Sequence, residues 1–233
     1  MQKLFDVIIP IRSKSKELKN KNILPFSGKT ILVNYTIKKI LNIKEIRRIY
    51  VLTDSAKYKK KLIKHKKIDS SYLRKKKFSK ANSKINDLIK DFILHYYPFK
   101  DNQNLLILQV TSPTLSVNEI NKTLKFIKKN NPKSLMHVCN VIESPYEIVE
   151  KKSQKKWNFL IKKRIINRQN YKRVFQYITG SLFFFNTNFF KKYKKIYNLK
   201  TTLYLVDKIN FLDIDDKLTF DIAKKVSNLK IRK

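Results

Sequence analysis

Apolar residues along the chain fall into short runs, separated by segments in which they recur at helical spacing. The run Phe5-Asp-Val-Ile-Ile-Pro10 is apolar and β-branched apart from Asp6, and it predicts a buried first strand closed by proline. Arg12 to Asn22 is polar and has no apolar period, so it reads as a loop. Ile31, Tyr35, Ile37, Ile40 and Leu41 predict a helix over 31–43. A second strand is expected at Arg48–Thr53, followed by Asp54, a Lys-rich helix reaching about Lys66, and a candidate short strand at Ser70–Arg74.

Ile85–Tyr97 predicts a helix stopped by Pro98, and Leu105–Gln109 a third strand, apolar until its last residue. Thr111-Ser-Pro113 reads as a turn, Val117–Asn130 as a helix and Ser134–Val141 as a fourth strand. Strands alternating with helices imply βαβ units around a mainly parallel sheet covered on both faces. From about 143 to 185 the pattern changes to short strand-like pieces around Trp157, Arg164 and Ser181, read as an antiparallel excursion or dimerisation arm. A helix near Asn188–Ile196, a strand at Thr202–Val206 and a helix at Lys217–Asn228 complete the pattern.

Composition narrows the picture. A chain of 233 residues with 42% hydrophobic content suits one α/β domain with at most a small appendage. One cysteine excludes an internal disulfide framework, and with three histidines it argues against a Cys/His zinc site. The run Phe5–Ile11 is far too short to span a bilayer and no signal-peptide pattern precedes it, so a soluble cytoplasmic protein is expected, with no membrane partner.

The net charge of +37 suggests a nucleic-acid binder at first sight. Yet only eight of the 54 basic residues are Arg, the type that favours base reading and bidentate phosphate contacts, and the charges run from Lys3 to Lys233. With abundant Ile, Asn, Phe and Tyr, all encoded by A- and T-rich codons, the charge reads as a compositional background. No specific nucleic-acid partner is expected; a non-catalytic basic nucleic-acid-binding protein is the alternative of a different class.

Chemistry is expected outside the carboxyl ends of the strands. There the loop 12–22 brings Arg12, Lys14, Lys16, Lys19 and Lys21 together with Asn22, a flexible basic loop suited to a polyphosphate. Three of only 17 carboxylates fall within 213–216. In an extended segment Asp213 and Asp215 share one face, as two hard oxygen ligands for Mg²⁺ beside a triphosphate would. Asp215 or Asp216 could instead cap the helix that starts at Lys217, and the two roles can coexist. The two glycines, Gly28 and Gly180, are expected where a Cβ is not tolerated. Neither a dinucleotide-binding glycine fingerprint nor a P-loop is present.

Several short motifs resemble, in order, those of acylneuraminate cytidylyltransferases (CMP-sialic acid synthetases). They are Ile8-Ile-Pro-Ile-Arg12 with Ser15-Lys16, Lys21-Asn22 and Gly28-Lys29; Leu52-Thr-Asp54; Leu73-Arg74; Leu108-Gln-Val-Thr-Ser-Pro113; Arg168-Gln169; Thr179-Gly180; and Asp213-Ile-Asp215. The resemblance implies a nucleotide-diphospho-sugar-transferase-like (Rossmann-like) fold with a small dimerisation subdomain, hence a homodimer. It implies transfer from CTP to a sialic-acid-like, acidic nine-carbon sugar for surface glycans, giving CMP-sugar and pyrophosphate with Mg²⁺. A 3-deoxy-manno-octulosonate cytidylyltransferase is the nearer alternative.

By the same resemblance Arg12, Lys16 and Lys21 hold the triphosphate, and Asn22 and Arg74 the cytidine. Gln109, Arg168, Thr179 and Gly180 face the sugar acid, and Asp213 and Asp215 the metal and the attacking hydroxyl. The chain departs from the pattern at Glu17 (usually Gly), Lys75 and Val110 (usually Pro), Leu115 (commonly Arg), Thr179 (Asn) and Phe183 (often Tyr). The last two lie where a different nonulosonic acid, of legionaminic or pseudaminic type, would be read.

Overall fold

Strand β1 (Phe5–Ile11) is buried along almost its whole length and lies inside the sheet, with parallel neighbours on both sides. The computed structural model describes residues 3–15, 17–80, 82–98, 102–141, 143–162 and 175–231. Val7 and Ile9 join one apolar cluster and Ile8 the other, as the two-residue period of a strand buried on both faces requires. Asp6, the one charge in the run, is 1% exposed and accepts hydrogen bonds from Arg47 Nε at 3.0 Å and from Tyr97 Oη at 2.5 Å. Its charge is thus matched at the amino end of the sheet, away from the site.

The remaining elements follow the βα alternation. The hairpin β2 (Pro25–Ser27) and β3 (Thr30–Ile31) leads to α1 (Leu32–Leu41), then β4 (Ile46–Thr53), α2 (Ala56–Lys60) and β5 (Ile68–Asp69). Next come α3 (Ile85–Tyr96), β6 (Asn104–Leu108), α4 (Val117–Asn130) and β7 (Ser134–Asn140). A separate hairpin, β8 (Val149–Lys151) with β9 (Trp157–Phe159), precedes β10 (Gln176–Asn186), α5 (Thr187–Tyr193), β11 (Thr202–Leu205) and α6 (Lys217–Ile231). Seven strands form the main sheet in the order β11-β7-β10-β6-β1-β4-β5. Every pairing in it is parallel except those of β10. Side chains of α1, α4 and α6 fill the cluster on one face, and those of α3 and α5 the cluster on the other.

Three expectations change. The Lys-rich helix stops at Lys60 instead of about Lys66: Tyr58 is the only buried residue in α2, so no apolar stripe holds further turns against repulsion among Lys57, Lys59, Lys60 and Lys61. The strand expected at Ser70–Arg74 does not form: the two-residue β5 precedes it, and within it only Leu73 makes a lone bridge, to Thr53. Residues 176–186, grouped by sequence with the excursion, form a strand of the main sheet between β6 and β7. Leu182, Phe184 and Phe185 there are fully buried. Of the segment 143–175, the hairpin β8–β9 stands outside the main sheet, while Arg164, Arg168 and Gln169 lie outside the described residues. No helix among the described residues is long and apolar enough to cross a membrane.

Candidate active site

The chain runs from β1 outward to β4 and β5, then returns to place β6 on the other side of β1. That reversal opens a crevice at the carboxyl ends of β1 and β6, where open α/β sheets bind ligands. Pairing of β1 with β6 ends at Ile8, so from Pro10 onward the two strands diverge. A pocket of about 320 Å³ fills the gap, lined among others by Arg12, Lys21, Asn22, Arg74, Lys80 and Gln109. Among the described residues its lining has four cationic side chains and no carboxylate.

The loop after β1 is anchored at Ser13, Asn20 and Asn22. Asp54, at the end of β4, accepts from the Ser13 amide at 2.8 Å and the Ser13 hydroxyl at 3.0 Å. Tyr58 Oη donates to the Ser13 carbonyl at 3.2 Å and lies 3.1 Å from Asn20 Oδ1. The buried Asn22 uses one amide hydrogen on the Arg12 carbonyl at 3.0 Å. These contacts fix the backbone that carries Arg12. Lys16 lies outside the described residues.

Arg74 is tethered through its amide to the Thr53 carbonyl at 3.0 Å and through Nε to the Phe78 carbonyl at 3.0 Å. Burial, more than any neighbour, lowers its guanidinium pKa; Arg12 lowers it further and Asp54 opposes. Lys21 is also lowered by burial, against the pull of Asp215 and Asp213, while Arg12 repels it and Glu17 attracts it. Partly desolvated cations facing each other are an arrangement that an anion relieves.

Lys21 joins this pocket to the acidic segment: Nζ donates to the Ile214 carbonyl at 2.6 Å. Ile214 is fully buried, and its amide donates to the Thr111 carbonyl at 2.8 Å, which docks the segment on the loop after β6. Asp213 and Asp215 flank Ile214 and repel one another. Asp213 is open to solvent on one side but crowded by protein on the other, and that desolvation, with Asp215 adding to it, pushes its carboxyl pKa up against opposing pull from Thr111 and Lys21. The capping role falls to Asp216, whose Oδ1 accepts the Thr219 amide at 2.8 Å and the Thr219 hydroxyl at 2.7 Å. Those contacts hold the Asp216 carboxyl below the ordinary range.

A second pocket, about 350 Å³, shares Ile85, Gln109 and Thr111 with the first and continues to Thr179, Gly180 and Asp213. Phe183 and Tyr197 stack along it, with centroids 5.6 Å apart and planes 11° from parallel. Gly180 takes φ +71° where the pairing of β10 with β7 shifts register. Open space surrounds the position a Cβ would take at both glycines, and both have positive φ, so backbone angle and not room demands glycine there.

The structure therefore gathers Arg12, Lys21, Asn22 and Arg74 in one pocket, Thr179, Gly180 and Asp213 in the next, and Gln109 in both. Asp215 sits beside them, coupled to Lys21 and Asp213. Lys80 and Ser83 in the first pocket, Tyr197 in the second and the loop anchors Asp54 and Tyr58 were not among the expected site residues. One more cation in a Lys-rich chain carries no signal, and the other contacts join residues distant in sequence.

A cationic crevice thus lies at the strand reversal of a largely parallel sheet, continuous with a second, carboxylate-edged pocket, and its place and charge suit an anionic ligand. The chain belongs to the cytidylyltransferase family, whose model matches residues 7–231. It is 27% identical over 217 residues to an N-acylneuraminate cytidylyltransferase of Streptococcus agalactiae serotype V, covering 91% of this chain and 51% of that protein. To the enzyme of that name from Escherichia coli O18:K1:H7 it is 26% identical over 231 residues, covering 97% of this chain and 52% of that protein. The chain thus spans about half the length of these curated relatives. A solved CMP:2-keto-3-deoxy-manno-octonic acid synthetase complexed with CTP shares the fold, with TM-score 0.65, 12% identity, and coverage of 97% of this chain and 99% of that one.

Proposed function

We propose that the chain transfers the cytidylyl group of CTP to the anomeric hydroxyl of a sialic-acid-like nonulosonic acid, releasing pyrophosphate, in the service of surface-glycan synthesis. The observation that carries this reading is the pair of contiguous pockets sharing Gln109 and Thr111, the first cationic and the second edged by Asp213. In the first, Arg12 and Lys21 match the charge of a triphosphate, while Arg74 and Asn22, which holds the Arg12 backbone, border the cytidine. In the second, Gln109, Thr179 and Gly180 line the acceptor. The roles of Lys16 and Arg168, on the triphosphate and the sugar carboxylate, rest on the family resemblance alone.

In the reaction the acceptor oxygen attacks the α-phosphorus, the bond from that phosphorus to the bridging oxygen breaks, and pyrophosphate departs with the electron pair. Such transfer depends on positioning and charge neutralisation more than on covalent help from the protein. The acceptor proton passes toward the carboxylates at Asp213 and Asp215. The donor set there also fits Mg²⁺: Asp213 and Asp215, two repelling carboxylates, would supply hard oxygens to hold the ion. When bound, the ion would neutralise phosphate charge in the transition state.

Purified protein given CTP, Mg²⁺ and a panel of nonulosonic acids is expected to release pyrophosphate. Turnover with 3-deoxy-manno-octulosonate alone would move the assignment to that branch, and silence with every sugar would refute it. We also read the protein as a homodimer. The described hairpin and its surroundings expose Val149, Trp157, Leu160, Tyr177 and Ile178, an apolar set that a second copy would cover. Sedimentation equilibrium should give twice the chain mass, and Trp157→Lys should shift the protein to monomer; a wild-type monomer at micromolar concentration would defeat this reading.

A further inference from the structure

Behind the second pocket, four side chains exposed by 2% or less form a continuous line of hydrogen bonds from α4 through the sheet to β10. Thr123 Oγ1 donates to the Glu119 carbonyl at 2.9 Å and lies 2.9 Å from His137 Nε2. His137 Nδ1 lies 3.1 Å from Ser181 Oγ, which lies 2.9 Å from Thr179 Oγ1. The His137 ring stacks on Tyr204, with centroids 5.4 Å apart.

Proton counting gives this line a direction. A hydroxyl holds one proton, and that of Thr123 goes to a carbonyl that can only accept. Thr123 must then accept from His137 Nε2–H, and the neutral ring is left with a lone pair on Nδ1. Ser181 donates its proton to that lone pair, and the Thr179 Oγ1 proton is shared between Ser181 Oγ and the His137 carbonyl, 3.3 Å away. Thr179 also accepts the Ser181 amide at 3.3 Å, which closes the chain around Gly180. The hydroxyl proton of Thr179 is spent inward, and none remains for a ligand.

We propose that His137 and Ser181 are positioning residues for the acceptor half of the site. They fix Thr179 and the Gly180 bulge so that this wall presents no hydroxyl donor. The adjoining Phe183–Tyr197 stack makes the wall largely apolar. It therefore suits an apolar group of the acceptor, or an N–H or O–H donor, and disfavours its carboxylate. The proposal rests on the cytidylyltransferase reading given above.

Ser181→Ala breaks the line at its centre with little change in volume. It is expected to raise KM for the acceptor sugar roughly tenfold, the effect of one misplaced hydrogen bond, with KM for CTP unchanged. Thr179→Val should reproduce that shift, and Thr179→Ser, which keeps the hydroxyl, should restore wild-type behaviour. The Thr179 pair carries the test if Ser181→Ala does not fold. A long-range ¹H–¹⁵N spectrum should show His137 protonated on Nε2.

Acceptor KM unchanged in Ser181→Ala and Thr179→Val, an equal rise in KM for CTP, or protonation on Nδ1 would overturn the proposal while wild-type turnover left the cytidylyltransferase reading intact. A wild-type protein inert with every sugar would overturn both.

Discussion

Asp215→Ala is expected to lower kcat for pyrophosphate release by roughly 100- to 1000-fold, the usual cost of removing one group that stabilises developing charge. Asp215 is exposed and the cap of α6 is its neighbour, so the melting temperature should barely move. Asp216→Ala supplies the contrast: losing the cap should lower the melting temperature and leave turnover close to wild type. Arg12→Ala, on the pinned loop, should lose turnover on the scale of Asp215→Ala while folding normally. Steady-state pyrophosphate assays with parallel thermal melts separate these outcomes. Equal, small losses in all three variants would mean that the acidic segment only caps its helix.

The second large effect is a loss of stability in acid traceable to one residue. His137 is fully buried, and desolvation alone pushes its pKa from 6.5 down to about 3. Between those values the unfolded chain binds a proton that the folded chain refuses. Folding stability therefore falls as pH drops through this window, by ~1.4 kcal/mol per pH unit. At pH 4.5 the deficit relative to neutral pH is about 3 kcal/mol, a large part of what a domain of this size has to spare. Urea unfolding at pH 7 and pH 4.5 measures it, with His137→Gln as the control. The carboxylates titrate in both proteins, so the wild-type excess belongs to His137. Identical pH dependence in the two would contradict the assignment.

The parts legible in the sequence are those governed by local period. Strand β1, helices α3 and α4 and strand β7 stand within a residue or two of where their apolar spacing puts them, because burial on one face or both writes itself into adjacent residues. The rare residues were equally informative: Arg12, Arg74, Gly180, Asp213 and Asp215 stand out against the Lys-rich background and gather at one crevice.

Long-range placement was not legible. The Leu182–Phe185 run says strand but does not say that it enters, antiparallel, between β6 and β7. The anchoring of Ser13 by Asp54 joins residues 41 positions apart, so nothing in the loop's own sequence announces it. The positive φ that makes a Cβ costly at Gly28 and Gly180 likewise depends on the turn and bulge around them.

The hydrogen bond from Lys21 to the Ile214 carbonyl spans 193 positions. The first and last functional segments of the chain therefore complete one another. A nascent chain can lay down β1, β4 and β6 early in synthesis, yet the charge balance around Lys21 is not reached until residues 213–215 have been made and docked on Thr111. The proposed site is thus complete only once residues 213–215 have docked, and a chain stalled before that point would carry an assembled sheet with an unfinished site.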